Sequence, residues 1–489
     1  MPESTDASPP SDEPGDRGGA LPDLEKIFRE AFGADVALPP ELSAMFSALR
    51  ADPTGSTAAA MVQQQFRAVF GSSDPGARLA SATDTARKVV SSAGDPSVGP
   101  TERREVEQAV AVSRLWLDPV TTLDAPAGPA LAWSGAEWVE STMPRWAALV
   151  GPIAEGVAAA STDAMRRQLG RLGSLPSLSE IAEIPELAGL AELAGLTGPG
   201  GEAPSIDGLL AKLVPALEGL SAGMFSAQLG QAVGALAGDV LSGTEVGLPL
   251  VDVGAVALLP ARVAELAQGL AIEPGQVRLY LAVREAARVR LFAQVPWLAA
   301  QLEASVRDYG RHITIDTEAI EQAVQSVDLS DLAAVQQAFS QAELFGRATT
   351  PLQDAALARL ETTLALVEGW VDLVTEQAVA ATLPQASALG EAMRRRRAGG
   401  PAQRAFAGLV GIELRPRRLR DARNLWAALQ DAGGIELRDE SWTYPDLAPT
   451  GADLDDPLGY VERRQRPASP DAMDLELDRL LSGEDPGGS

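Results

Sequence analysis

Residues 277 to 302, VRLYLAVREAARVRLFAQVPWLAAQL, set two arginines inside an apolar helical face. On a helix, Val277, Tyr280, Leu281, Leu291 and Phe292 fall on one side, and Arg284 and Arg288 lie among them. A buried guanidinium without a partner costs several kcal/mol, so a fold that buries this face has to bring carboxylates to it. Two readings are open. Either the arginines run along the edge of a partly exposed helix and keep their heads in water, or the face was built to hold something else.

The rest of the chain favours helices. Aromatic residues make up only 4% of 489 residues, so the 46% apolar fraction is mainly Ala, Leu and Val. Ala and Leu lose little freedom in a helix. The stretches SGAEWVESTMPRWAALVGPIAEGVAAA, DGLLAKLVPALEGL and MFSAQLGQAVGALAGDVL all carry helical periodicity. VDVGAVALL, residues 251 to 259, is the one convincing strand candidate and ends at Pro260. The expected fold is mainly α with a small β element.

Composition divides the chain into four parts. Residues 1–20 read as a disordered acidic tail, 21–95 as an N-terminal helical accessory segment, 96–465 as the body, and 466–489 as an acidic C-terminal tail. Within 96–465, Thr101 followed by Glu105 resembles a helix start, one residue off a capping box.

Several function classes are excluded or disfavoured. The chain has no cysteine, which removes disulfides, thiolate metal sites and a cysteine nucleophile. A formal net charge of −27 repels nucleic acid and anionic membranes. No signal-like start and no uninterrupted apolar span of 18 residues is visible, so the expected address is cytoplasmic, with no membrane partner. Lysine occurs only at Lys26, Lys88 and Lys212, and the remaining cations are arginines. They cluster in the Arg394–Arg423 region, beginning with the run Arg394 to Arg397. Nucleic acid is an unlikely partner for that region, because stacking aromatics and recognition motifs are missing, and pairing with the chain's own acids is favoured. Gly219-Leu220-Ser221-Ala222-Gly223 spells G-x-S-x-G, but a helical pattern precedes it where a nucleophile elbow needs a strand. His312 is the single histidine and reads as an exposed or capping residue.

Arg284-Glu285-Ala286-Ala287-Arg288 has the spacing of H-E-x-x-H and is followed by Val295-Pro296-Trp297-Leu298. Further linked segments are Ala136-Glu137-Trp138-Val139, the run from Gly230 to Leu250 ending in SGTEVGLPL, and Leu366-Val367-Glu368-Gly369-Trp370-Val371-Asp372. GLVGIELRPRRLRDARNLW, Pro445-Asp446-Leu447 and Asp453-Leu454-Asp455 follow. In this order, over roughly residues 78 to 465, the chain resembles the bacterial zincin-like family of zinc-dependent metalloproteases and hydrolases.

The resemblance implies a zincin-like metalloprotease scaffold, with Arg284 and Arg288 at the two histidine positions. Glu285 falls at the general-base position and Glu368 at that of a third ligand. Arginine has no lone pair for a metal, so the chain resembles a degenerate member in which Glu285 and Glu368 are vestigial. No cofactor is expected; zinc enters only if the family chemistry holds despite the missing histidines. The arginines are expected to form ion pairs in the old metal pocket with Glu368, and with Asp372 or Glu361. Three function classes stay open. The favoured one is an inactive pseudoenzyme that binds an unknown protein partner or peptide. The second is a hydrolase with a carboxylate metal site around Glu285, Glu368 and Asp372. The third is an acidic-ligand or nucleic-acid binder acting through Arg394–Arg423.

Overall fold

The computed structural model describes residues 74–172, 222–223, 225–312, 350–398 and 417–466. All of these fall in one compact unit, Phe70–Asp316 with Phe345–Ser489. A second unit, Met1–Val69 with Thr317–Leu344, lies outside the described residues, as do the expected tail at 1–20 and, after Arg466, the expected C-terminal tail.

The described chain is mainly helical. In order it forms α1 (Pro75–Ala93), α2 (Pro100–Leu117), β1 (Ala130–Ala132), α3 (Gly135–Leu172), α4 (225–237), β2 (Val256–Leu258), α5 (Pro260–Leu270), α6 (Pro274–Gln294) and α7 (Pro296–Arg311). Then follow α8 (Pro351–Val379), α9 (Ala386–Ala398), α10 (Arg417–Glu440), a 3-10 turn (Pro445–Leu447), α11 (Gly451–Asp455) and α12 (Pro457–Gln465). Proline is the first residue of α1, α2, α5, α6, α7, α8 and α12. Its missing N–H and fixed φ suit that position, where no intrahelical donor is needed. Asp74 caps α1, and Thr350 with Gln353 forms a reciprocal capping box on α8. The expected start at Thr101 is corrected. The helix begins at Pro100, and the side chain of Glu102, not Glu105, accepts the Gly99 N–H at 2.6 Å.

The strand expectation also needs correction. Only Val256–Leu258 is strand, because Gly254 takes φ +84° and the Ala255 N–H turns back to the Asp252 carbonyl. Its partner is β1, a three-residue strand that the sequence did not reveal. The two run parallel, in the register Ala130↔Val256, Leu131↔Ala257 and Ala132↔Leu258. On the other side of β2, Ser242 bridges Leu258 in antiparallel fashion, and the Gly243 N–H donates to the Ala257 carbonyl. This small sheet carries residues 242–244 to the middle of α6.

α6 is the centre of the unit. Every residue from Tyr280 to Leu291 is buried, because α2, α5, α8 and β2 surround the helix. Arg284 and Arg288 therefore do not snorkel at an edge. α8 crosses α10 at Gly369, where a Cβ would stand 2.7 Å from the Arg423 nitrogen and 2.8 Å from Ala422 Cβ. The same crossing buries Trp370, Trp426 and Trp442, the last two stacked with ring centres 4.9 Å apart. Asp439 ties this layer to the start of the body. It accepts from Trp370 Nε1 (2.8 Å), Thr121 Oγ1 (2.7 Å) and the Thr122 N–H (2.8 Å), and pairs with Arg438 at 2.7 Å. Among the described residues no helix is long and apolar enough to cross a membrane.

Candidate functional site

α6 and α8 pack side by side, and the i, i+4 spacing on each stacks two charged side chains at their contact. Arg288 Nε lies 2.9 Å from Glu368 Oε1 and its Nη2 lies 3.3 Å from Oε2. This side-on, two-point grip matches guanidinium to carboxylate geometry. Arg284 bridges both acids of α8, with Nη2 3.3 Å from Glu368 Oε2 and Nη1 bonded to Asp372 Oδ1. Arg284, Arg288 and Glu368 are 3%, 1% and 5% exposed.

Glu285 faces the 242–244 segment. Its Oε1 accepts the Thr244 N–H at 2.8 Å, and its Oε2 accepts from Ser242 Oγ and from Arg288 Nη1, each at 2.8 Å. The carboxylate is wholly buried. Ser242 and Thr244 are site residues that sequence reasoning missed. Their only signal was membership of the segment ending in SGTEVGLPL.

A third guanidinium also enters. Arg397, at the end of α9, reaches Glu368 through Nη1, while its neighbour Arg396 pairs with Glu245 at 2.9 Å. The Arg394–Arg397 run was legible in the sequence, but its place in this cluster was not. Three guanidiniums (Arg284, Arg288, Arg397) thus face three carboxylates (Glu285, Glu368, Asp372).

The balance sets the protonation states. Burial would push the Glu368 carboxyl up, but Arg288, Arg397 and Arg284 outweigh it and hold it at about 2. Asp372 is likewise held low, with Arg284 and Arg397 overcoming burial. Burial also opposes the Arg284 charge, and Asp372, Tyr280 and Glu368 more than restore it. Arg397 behaves differently. Burial and the repulsion of Arg284 and Arg288 lower it despite Glu368. Burial pushes Glu285 up, against the pull of Arg288 and the bonds from Ser242 and Thr244.

The other expected residues lie apart. Glu361, two turns before Glu368 on α8, acts on Arg418, which pairs with Asp455. The ion pairs of Arg284 and Arg288 run to Glu285, Glu368 and Asp372. His312 closes α7, where its Nδ1–H donates to the Asp308 carbonyl at 2.7 Å. Of the G-x-S-x-G segment, Ala222 and Gly223 are helical and Gly219 to Ser221 lie outside the described residues.

A model of the zincin-like metallopeptidase family matches residues 79–461, well over half of the chain. The chain belongs to this family. In fold it is also similar to a candidate hydrolase with a novel fold from Chloroflexus aurantiacus, known from a crystal structure. That likeness has a TM-score of 0.52 at 16% identity and covers 80% of this chain and 99% of the other. No curated protein matches the chain.

Family membership implies zinc, and the donor set of this zincin-like chain does not fit it. A zincin site needs two imidazole nitrogens on one helix turn, and the chain has one histidine, the C-cap of α7. The carboxylates of Glu285, Glu368 and Asp372 are each bound by guanidinium. Among the described residues, no group of His, Asp or Glu is placed to hold a metal ion.

Proposed function

We propose that this zincin-like protein has no metallopeptidase activity and serves as a binding or interaction scaffold for a protein or peptide partner. The observation that carries this reading is the two-point pairing of Arg288 with Glu368, where family chemistry would place a divalent cation. Glu285 supports it: both of its oxygens are engaged and none of its surface is exposed, so it cannot take a proton from a water molecule. A hydrolase with a carboxylate metal site has less support, because a metal would have to displace guanidinium from Glu285, Glu368 and Asp372. A nucleic-acid role for the Arg394–Arg423 region is weakened by its internal pairing. Arg394 and Arg395 pair with Glu391, Arg396 with Glu245, Arg418 with Asp455 and Arg423 with Glu376. We assign a cytoplasmic address on composition alone.

The test is elemental analysis of the purified protein by mass spectrometry, together with digestion of casein and a peptide library. Neither stoichiometric zinc nor cleavage is expected. One zinc per chain, or chelator-sensitive proteolysis abolished by Glu285→Gln, overturns the proposal.

A further inference from the structure

A cleft of about 300 Å³ opens beside the ion-pair cluster, between α6, α8 and α9. That volume is at the lower end of small-ligand sites. Its polar lining is Tyr280, Asp372, Glu376, Ser387, Gly390 and Arg394, over a floor that includes Leu383 and Pro384.

The lining combines hydrogen-bond donors with carboxylates. Tyr280 Oη and Arg394 Nη1 converge above Gly390, 3.6 and 3.7 Å from the point where a Cβ would stand. Arg394 is tied to Glu391 through Nε at 3.2 Å, which leaves the Nη1 and Nη2 edge of the guanidinium for the cleft. That edge is a two-point donor for a carboxylate. Burial pushes the Tyr280 phenol up against the pull of Arg284, so it stays a neutral O–H donor. Asp372 and Glu376, one turn apart on α8, add two carboxylates to the same lining. Each pairs with one arginine, Arg284 and Arg423 respectively, and each keeps lone pairs to offer.

We propose that this cleft binds a small molecule or chain end that carries a carboxylate and a cationic group, namely a basic amino acid or the C-terminal residue of a basic peptide. The carboxylate docks in the Arg394 fork above Gly390 with Tyr280 as the second donor. The ammonium or guanidinium group meets Asp372 and Glu376. The docked carboxylate and side-chain cation cancel each other, as do the charges of the cleft and its supporting partners, so each docked group meets a group of opposite charge. The ligand class rests on the binding reading above. The two fail separately, since metal content and proteolysis decide that reading and titration of the cleft decides this one.

Isothermal titration of the full chain tests it with three probes: L-arginine, an alanyl tetrapeptide ending in arginine, and the same peptide as its C-terminal amide. Saturable binding of L-arginine alone identifies a free amino acid as the source, and tighter binding of the peptide acid identifies a chain terminus. Either supports the site. Arg394→Gln should weaken binding about tenfold or more, because a charge-assisted pair is lost. Gly390→Val should abolish binding by filling the fork. Arg359→Gln, at an exposed position of α8 that pairs with Asp308 and lies outside the lining, should change nothing, and all three variants should retain the circular dichroism of the parent. The proposal is overturned if neither L-arginine nor the peptide acid saturates the protein, if the amide binds as tightly as the acid, or if Arg394→Gln binds like the parent.

Discussion

Arg288 grips Glu368 along the side edge of its guanidinium, Nε to Oε1 at 2.9 Å and Nη2 to Oε2 at 3.3 Å, and spends its remaining nitrogen on Glu285 at 2.8 Å. One side chain therefore serves two buried carboxylates on two helices. Arg397 differs, because among the described residues its ion pair is with Glu368 only.

That difference predicts which second substitution relieves a first. Glu368→Ala leaves three buried guanidiniums short of one carboxylate and should cost about 3–5 kcal/mol. Glu368→Ala with Arg397→Met should be less destabilised, since the cation most repelled by its neighbours has gone. Adding Arg288→Met instead should give no relief, because Glu285 is then stranded. Urea midpoints of the three variants decide the order, and equal relief from both second substitutions would contradict it.

The cluster also predicts the acid side of the stability profile. The Glu368 carboxyl is depressed from 4.5 to about 2, so it binds fewer protons in the folded than in the unfolded state between those values. Its contribution is fully present above about pH 4.5 and is lost as pH falls toward 2. Asp372, also depressed, acts in the same sense. The stability gap between the parent and Glu368→Gln should narrow as pH is lowered from 6 to 3 in denaturant titrations. A gap that widens would show that Glu368 is not held as a carboxylate.

Gly369 predicts a sign reversal. In an exposed helix, Gly→Ala gains about 1 kcal/mol. Here the new Cβ would meet the Arg423 nitrogen at 2.7 Å and Ala422 Cβ at 2.8 Å, where α8 and α10 cross. Backbone has to move apart, so Gly369→Ala should destabilise by about 1–3 kcal/mol. A rise in melting temperature would show that the crossing is looser than described.

Local chemistry in the sequence determined the helical class, the absence of cysteine chemistry and the loss of the histidine pair. Each of these depends on residue type or on spacing within one segment. The i, i+4 pairs Arg284/Arg288 and Glu368/Asp372 were legible for the same reason. Tertiary structure decided what lay between segments. Burial of α6 on every side removed the snorkelling reading. β1, at three residues and rich in alanine, has no pattern of its own and exists because β2 lies beside it. Arg397 had the same local appearance as Arg394 to Arg396. Only the direction in which α9 packs sends Arg397 to Glu368, Arg396 to Glu245 and Arg394 to the rim of the cleft, because pairing between separate segments is set by helix placement and leaves no periodicity in the chain.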